Sequence, residues 1–400
     1  MKSLKVFILI IFACFTRTLC CQIQYVEKLD SIVEKNSIIG FGERFHSEIN
    51  AKVLYRQLID RYSKSITTLA LELSPTDVFY ITNLQLSNGN DKTTMQSILL
   101  SGQGCIAFDS LFIKLDSLEF SGIEIKCIGI SPILPHYKSV QFLGTQCAKL
   151  TSDTTINNLT ISRFNTIARK LKNENLYYYD SVLFANILAI LDSIKVDLSV
   201  NINKKQTEEN SIIINQLNAF EKVISYTHMC NTKQETPNKL DSLMYCLLIE
   251  LAENLDNGKT FLFATNLHLM KNSNNPKFPH PYKDYFSLGY KLQQNKYRYH
   301  NVAIIGSKEN ILDKKRVPKG SFYRSRKLLH FVSAERKLMR KYKNKTSYVN
   351  LSQIEVNRRF YMWPTFYKYY RFNWTTHFDS AIITYRGGDL SRYPAVWKIE

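Results

Sequence analysis

The sequence feature that most constrains this chain is residues 37–46, an apolar run that stops at Gly42 and is followed by Glu43 and then by His46. A buried strand ends in this way when it delivers titratable side chains into a crevice. Apolar residues then recur at helical spacing over residues 49–59, which predicts a strand, a tight turn and a helix. We expect Glu43 and His46 in the turn between the strand and the helix.

Two later apolar runs also place polar side chains at or near their ends. Residues 66–73 are typical of a buried strand and contain Glu72. An unpaired charge there would be strongly unfavourable, so Glu72 must have a partner, stay protonated or face the same crevice as Glu43. A purely structural pairing of Glu72 explains the pattern equally well. Residues 258–268 predict another strand that ends with Asn266 and His268, two apart and hence on one side of an extended segment.

Strand-like and helical segments alternate along much of the chain, which indicates an α/β fold with a mostly parallel central sheet flanked by helices. Between residues 139 and 257 the strand signal nearly vanishes and helical periodicity takes over. We expect this part to be a large helical insertion that caps the site, and residues 22–138 and 258–400 to form the core. Further strands are predicted at residues 123–130, 301–306, 347–352 and 378–385.

The first 21 residues have the pattern of a secretory signal peptide. Lys2 and Lys5 precede an apolar stretch that is too short to span a bilayer. The protein is therefore expected to be exported, to the periplasm or the extracellular space. Cys20 and Cys21 lie where the signal would be cut. A lipid anchor on one of them is therefore an alternative to release of the mature chain, and it is the one form of membrane attachment that we expect.

Positive charge is concentrated in residues 308–371, where eighteen Lys and Arg residues stand against four acidic ones. This segment alone carries +14 of the formal net charge of +19. Basic residues interleaved with aromatic ones can bind nucleic acid or an anionic surface. For an exported protein, a solvated basic face over an aromatic layer is favoured instead, so no nucleic-acid partner is expected.

Four short motifs together resemble the erythromycin esterase-like family over residues 37–385. They are a Gly-Glu-x-x-His turn at 42–46, an Ala-x-Glu strand at 70–72, part of a His-Asn-x-His strand end at 265–268, and a Phe-Asp-x-x-Ile segment at 378–382. The resemblance implies hydrolysis of a small-molecule ester or lactone without a cofactor.

The resemblance also implies a role for each site residue. His46 would be the general base that activates water, and Glu43 would hold its ring. Glu72 would be a second carboxylate of the site, and His268 would assist proton transfer or stabilise an oxyanion. An imidazole beside a buried carboxylate is a competent base near neutral pH.

Substrate binding is expected from Arg56 and Asn266. A basic residue that the family carries on the first helix falls at Tyr55 in this sequence, so Arg56 beside it is the expected substitute.

Two other interpretations remain open at this point. Two histidines and two carboxylates also suit a divalent metal site, and a related superfamily with a similar Gly-x-x-His beginning binds metal or haem. Alternatively, the chain is an exported binding protein that has lost catalysis and uses its basic aromatic segment as an interaction face.

Overall fold

The structure is a computed structural model. It describes residues 28–43, 49–86, 88–103, 108–173, 181–201, 208–231, 237–252, 255, 258–272, 285–305, 347–353, 360–365, 368–372 and 374–383. The predicted signal peptide with Cys20 and Cys21, His46, and most of the basic segment 308–371 lie outside these residues. Within the described ranges, no helix has the length and apolar character needed to cross a membrane.

The described chain contains both strands and helices. The strands are β1 (Ile38–Glu43), β2 (Thr68–Leu71), β3 (Lys126–Gly129), β4 (Thr260–Thr265), β5 (Tyr299–Ile305), β6 (Ser347–Asn350), β7 (Phe360–Thr365), β8 (Lys368–Phe372) and β9 (Ser380–Ile383). The helices are α1 (28–35), α2 (Ile49–Tyr62), α3 (Pro75–Thr82), α4 (Gly89–Gln103), α5 (Asp109–Phe120), α6 (Tyr137–Ala148), α7 (Thr154–Asn173), α8 (Ser181–Asn201), α9 (Glu208–Asn231), α10 (Pro237–Ala252), α11 (Asn266–Leu269), α12 (Leu288–Gln294) and α13 (Trp374–His377).

β1 lies at the centre of the sheet. Among the described residues the sheet has seven strands in the order β3-β2-β4-β1-β5-β9-β6, and its pairings there are parallel except for that of β6 with β9. Both β1 and β4 are buried along their whole length, as apolar strands covered on two faces must be. The predicted α/β class with a mostly parallel sheet is confirmed. β7 and β8 form a separate antiparallel hairpin.

Two predicted boundaries differ from the observed ones for local reasons. β3 begins at Lys126, later than predicted, because the Ile123 N–H still bonds back to Leu118 O at the end of α5. The strand predicted at residues 66–73 is shorter in the structure, where β2 ends at Leu71 and α3 begins at Pro75. A proline suits the first helical position, since that residue's N–H has no partner within the helix.

The two faces of the sheet carry different helices. On one face, Phe41, Phe261 and Phe263 pack with α2 and α5, and the Tyr55 ring stacks on Phe263 at 3.9 Å between centroids. On the other face, alternate residues such as Leu262 pack with α10 and α12. Side chains at the strand ends continue this alternation, so neighbouring positions at the carboxyl edge point to opposite sides of the sheet.

Gly40 and Gly42 leave the carboxyl-terminal half of one face of β1 without side chains, and α11 packs there. A Cβ atom built on Gly42 would lie 2.2 Å from Asn266 Oδ1 and 3.1 Å from Asn266 Cα. After α11 the chain continues over β1, where Leu269 O accepts a 2.8 Å hydrogen bond from the Tyr299 hydroxyl. The two glycines therefore make room for the turn that carries Asn266 and His268.

Helices α6 to α9 form a layer with a hydrophobic core of its own, which includes Phe164, Phe184 and Phe220. Each successive pair of helices from α7 to α10 is joined by an ion pair: Arg163 with Asp197, Lys195 with Glu221, and Lys222 with Glu250. α10 instead packs on the sheet. The boundary of the insertion at residues 139–257 stays a prediction.

Asp77 joins α3 to α6 from a fully buried position, since its Oδ1 accepts a 2.9 Å hydrogen bond from the His136 N–H. Burial raises the pKa of Asp77 to about 7 from an ordinary value of 3.8. The folded state therefore binds the proton more tightly than the unfolded state, and Asp77 reduces stability as pH rises through the window from about 4 to 7.

Asp77→Asn is expected to remove this pH dependence. The amide keeps an oxygen for the His136 N–H and has no charge to desolvate, so above pH 7 the variant should be more stable than wild type by up to about 4 kcal/mol, at about 1.4 kcal/mol for each unit of the raised pKa. Urea unfolding at pH 5 and pH 8 measures the difference. Asp192→Asn, at an exposed position, is the control. Equal pH dependence in wild type and Asp77→Asn would contradict a buried titration of Asp77.

Candidate active site

Three neighbouring strands end at one edge of the sheet and bring polar groups together there. Glu43, the last residue of β1, lies in register with Thr265, the last residue of β4. Glu72 directly follows β2 on the other side of β4, and its Oε2 accepts a 2.6 Å hydrogen bond from the Thr265 N–H. Thr265 therefore lies between the two carboxylates. Ligands of open α/β sheets bind at such carboxyl edges.

A buried network connects Glu72 to α10 through the imidazole of His268. His268 Nε2 lies 3.2 Å from Glu72 Oε1, and His268 Nδ1 lies 2.8 Å from Asp241 Oδ1. Asp241 also accepts hydrogen bonds from the Leu288 N–H at 2.9 Å and from the Tyr285 hydroxyl. Asp241 is fully buried and His268 is 6% exposed, so these groups interact in a low-dielectric interior.

The two carboxylates determine the charge of His268. Burial alone would lower its pKa, but the opposing effect of Asp241 and Glu72 is larger and holds the pKa well above the ordinary value of 6.5. His268 is thus an imidazolium at neutral pH, with one carboxylate at each ring nitrogen. The stability that it contributes is fully present below pH 6.5 and is lost as pH rises through its raised pKa.

Glu43 has a different partner on the opposite face of the sheet. Lys52 on α2 places its Nζ 2.5 Å from Glu43 Oε1, and both side chains are 1% exposed. The same ammonium lies 3.8 Å from the centroid of the Phe108 ring, within the range of a cation–π contact. The hydroxyl of Tyr55, one turn further along α2, donates to Phe41 O at 3.0 Å. These contacts place a neutralising cation beside the Glu43 carboxylate.

Comparison with solved structures identifies the architecture. The erythromycin esterase EreC, as a mutant in its open conformation, matches with a TM-score of 0.60 and 14% identity over 90% of this chain and 93% of that chain. A Bacillus cereus protein matches with a TM-score of 0.64 and 13% identity, covering 90% of this chain and 91% of its own. A succinoglycan biosynthesis protein matches with a TM-score of 0.62 and 12% identity, over 90% of both chains.

The chain has an erythromycin esterase-like fold. No family model and no curated protein matches the sequence. At these identities the likeness concerns the fold, and chemistry must be argued from the site.

Within this erythromycin esterase-like fold, four predicted site residues lie at the carboxyl edge. Glu72 and His268 are in direct contact, Glu43 lies across β4 from Glu72, and Asn266 packs on Gly42. His46, the predicted base, lies outside the described residues.

Arg56, predicted to bind substrate, is about half exposed on α2, with its Nε 4.0 Å from Asp60 Oδ2. It lies on the solvent side of the helix and outside the buried network. The cation that reaches this edge of the sheet from α2 is Lys52, one turn earlier.

The local geometry of Asn266 and His268 differs from the sequence prediction. They do not share one side of an extended segment, because the chain turns into α11 directly after Thr265. In a helical turn, residues two apart point in different directions. Asn266 therefore lies against Gly42, while His268 faces Glu72 and Asp241.

Sequence analysis missed Asp241, Lys52 and Tyr285. The sequence pattern could have identified Asp241 as a site residue. It lies on the apolar face of α10, at helical spacing from Met244 and Leu248. An acid on such a face needs a buried partner.

The Phe-Asp-x-x-Ile segment has a structural role away from the carboxylates. Asp379 precedes β9 and accepts hydrogen bonds from Lys271 Nζ at 2.6 Å and from the Asn301 N–H at 2.9 Å. His300 Nε2 lies 2.9 Å from Ser380 Oγ, and His300 Nδ1 lies 3.7 Å from Asp379 Oδ2, so the three residues are in the order of a Ser-His-Asp set. Ser380 is fully buried and begins a strand inside the sheet, so its hydroxyl is closed to substrate.

The described residues add no observation in favour of a metal site at this edge of the sheet. Among the residues that the structure describes, no group of three or more His, Cys, Asp or Glu side chains is arranged to hold a metal ion. The oxygens of Glu72 and Asp241 and the ring nitrogens of His268 bind one another, backbone N–H groups or the Tyr285 hydroxyl. The metal alternative stays a prediction.

Proposed function

We propose that this protein is an exported hydrolase that cleaves an ester or lactone bond of a small molecule with a water molecule activated by His46. The observation that carries the proposal is the buried contact between Glu72 and His268 at the carboxyl edge of the sheet, where Glu43 ends a strand of the same edge and faces the opposite side. The fold shared with an erythromycin esterase supports the same reaction class by analogy.

The charge of His268 supports the division of roles between the two histidines. A general base must be neutral before it can accept a proton, and His268 is held as an imidazolium between two carboxylates. His46, three residues beyond Glu43, is left as the base. His268 contributes a fixed positive charge that orients Glu72 through Nε2 and offsets part of the negative charge of the two carboxylates.

The reaction balances without a co-reactant other than water. His46 takes a proton from water while the water oxygen forms a bond to the carbonyl carbon. The tetrahedral intermediate then expels the alkoxide by breaking the carbon–oxygen bond, and the imidazolium of His46 returns the proton to the leaving oxygen. The products are a carboxylic acid and an alcohol, which remain joined when the substrate is a lactone.

His46→Ala is expected to lower kcat by about 100-fold to 10,000-fold, because general base catalysis contributes that much. The measurement is turnover of a panel of aryl esters, aliphatic lactones and macrolide lactones, followed by mass spectrometry as the gain of one water. His228→Ala, at the end of α9, is the matched histidine control and should keep wild-type rates.

Equal background rates in wild type and His46→Ala across the panel would overturn the proposal and favour a binding protein without catalysis. Elemental analysis of the purified protein tests the other alternative. A stoichiometric metal whose removal abolishes turnover would replace the metal-free mechanism.

A further inference from the structure

We propose that Asp241 is a positioning residue of the candidate site, which holds the His268 ring through Nδ1–H so that Nε2–H is directed at Glu72. The proposal deepens the hydrolase function and rests on it for its catalytic meaning. It assigns a role in the site to α10, a helix that supplied no site residue in the sequence analysis.

The geometry supports a fixed ring orientation. An imidazole with one acceptor at Nδ1 and another at Nε2 cannot rotate without breaking both hydrogen bonds. Asp241 Oδ1 lies 2.8 Å from Nδ1, and Glu72 Oε1 lies 3.2 Å from Nε2. Because Glu72 Oε2 is held by the Thr265 N–H, the carboxylate is fixed at both oxygens.

Asp241 is itself held by groups from a separate segment. The Leu288 N–H at the start of α12 donates to its Oδ1 at 2.9 Å, and the Tyr285 hydroxyl donates to its Oδ2. The Tyr285 oxygen also lies 3.3 Å from His268 Nδ1. Such outer partners set the orientation of a functional histidine and its protonation state.

The titratable groups facing His268 come from three elements. Glu72 lies at the end of β2, Asp241 on α10, and Tyr285 just before α12. The two acids together hold the raised pKa of His268 against burial. With a neutral residue at position 241, burial of the ring is opposed by Glu72 alone.

The test is a side-chain NMR titration of the whole protein labelled with ¹⁵N histidine, with the His268 signals assigned by their loss in His268→Gln. In wild type we expect both ring nitrogens to be protonated at neutral pH, because the pKa of His268 is held well above its ordinary value. In Asp241→Asn the midpoint should fall by about 1–3 units, the size of effect that one close charge has on a pKa. The amide oxygen can still accept the Leu288 N–H, which favours folding of the variant.

Kinetics provide the second readout. Asp241→Asn should lower kcat by about 100-fold, as a small misplacement of a site group does, with little change in KM. A merely structural Asp241 would reduce stability and leave the His268 midpoint in place.

Two outcomes overturn the proposal: a neutral His268 in wild type at pH 7, which needs no variant to fold, or an unchanged midpoint in Asp241→Asn. Neither depends on substrate. If Asp241→Asn shifts the His268 midpoint but the wild-type protein hydrolyses no substrate, Asp241 still positions His268. The proposed hydrolase function is then wrong.

Discussion

Lys52→Met is expected to lower the free energy of unfolding by about 3–5 kcal/mol, the usual effect of removing one partner of a buried ion pair. Both Lys52 and Glu43 are almost fully excluded from solvent, and their charged atoms are 2.5 Å apart. Methionine fills a similar volume but leaves the Glu43 carboxylate without its neutralising cation. The carboxylate must then take up a proton or remain charged in the interior, and both are unfavourable.

Urea unfolding followed by circular dichroism measures this effect, and two variants control for it. Lys64→Met makes the same replacement at an exposed lysine and should change stability by less than about 0.5 kcal/mol. The double variant Glu43→Gln with Lys52→Met removes both charges and should recover much of the loss. Equal stability of the two single lysine variants would contradict a buried pair.

The sequence predicted those parts of the fold that depend on the spacing of apolar residues within a single segment. The strand that ends at Glu43 and the helix after it follow from apolar periodicity, and so does the buried strand that ends near Glu72. The carboxyl ends of neighbouring parallel strands share one edge, so the predicted fold class already placed these acids and His268 together. In the structure Glu72 contacts His268, whereas Glu43 ends at the same edge but faces α2 and pairs with Lys52.

The partners of these acids were beyond local pattern because they come from distant segments. His268 binds Glu72, almost two hundred positions earlier, and Asp241, which belongs to a helix that sequence analysis placed in the cap. The spacing of apolar residues predicts that a segment is helical, but it does not predict which face of the sheet the helix covers. Lys52 was missed for a related reason: a lysine near the start of an amphipathic helix is usually solvated. Its burial depends on the ion pair with Glu43 and on the packing of Phe108 over it.

The direction of α11 was also beyond sequence reasoning. A strand followed by polar residues predicts an extended ending, whereas the chain turns into a helix after Thr265 and continues across β1. That path depends on Gly40 and Gly42, far away in sequence. Gly40 and Gly42 belong to the strand that precedes the Gly-Glu turn. They also determine how the chain leaves the neighbouring strand β4.

Gly42→Ala is expected to lower the free energy of unfolding by about 3 kcal/mol, toward the upper end of the effect of overpacking a rigid interior. The added Cβ would lie 2.2 Å from Asn266 Oδ1, which a rotation of that side chain could relieve, and 3.1 Å from Asn266 Cα, which it could not. α11 would have to move away from β1. His268 lies on the same turn, so its contacts with Glu72 and Asp241 should lengthen, and kcat should fall together with stability.

Gly89→Ala is the matched control, because a Cβ built there meets nothing within 4 Å at the start of α4. Alanine is the better helix former, so this variant should be as stable as wild type or slightly more so. The His268 NMR signals separate the two consequences of Gly42→Ala: a moved α11 changes them, while strain confined to β1 leaves them in place. Wild-type stability with unchanged His268 signals would mean that α11 does not depend on the bare face of β1. A loss of stability with a shifted His268 midpoint would show that Gly42 at the end of β1 positions the histidine of α11, which follows the neighbouring strand β4.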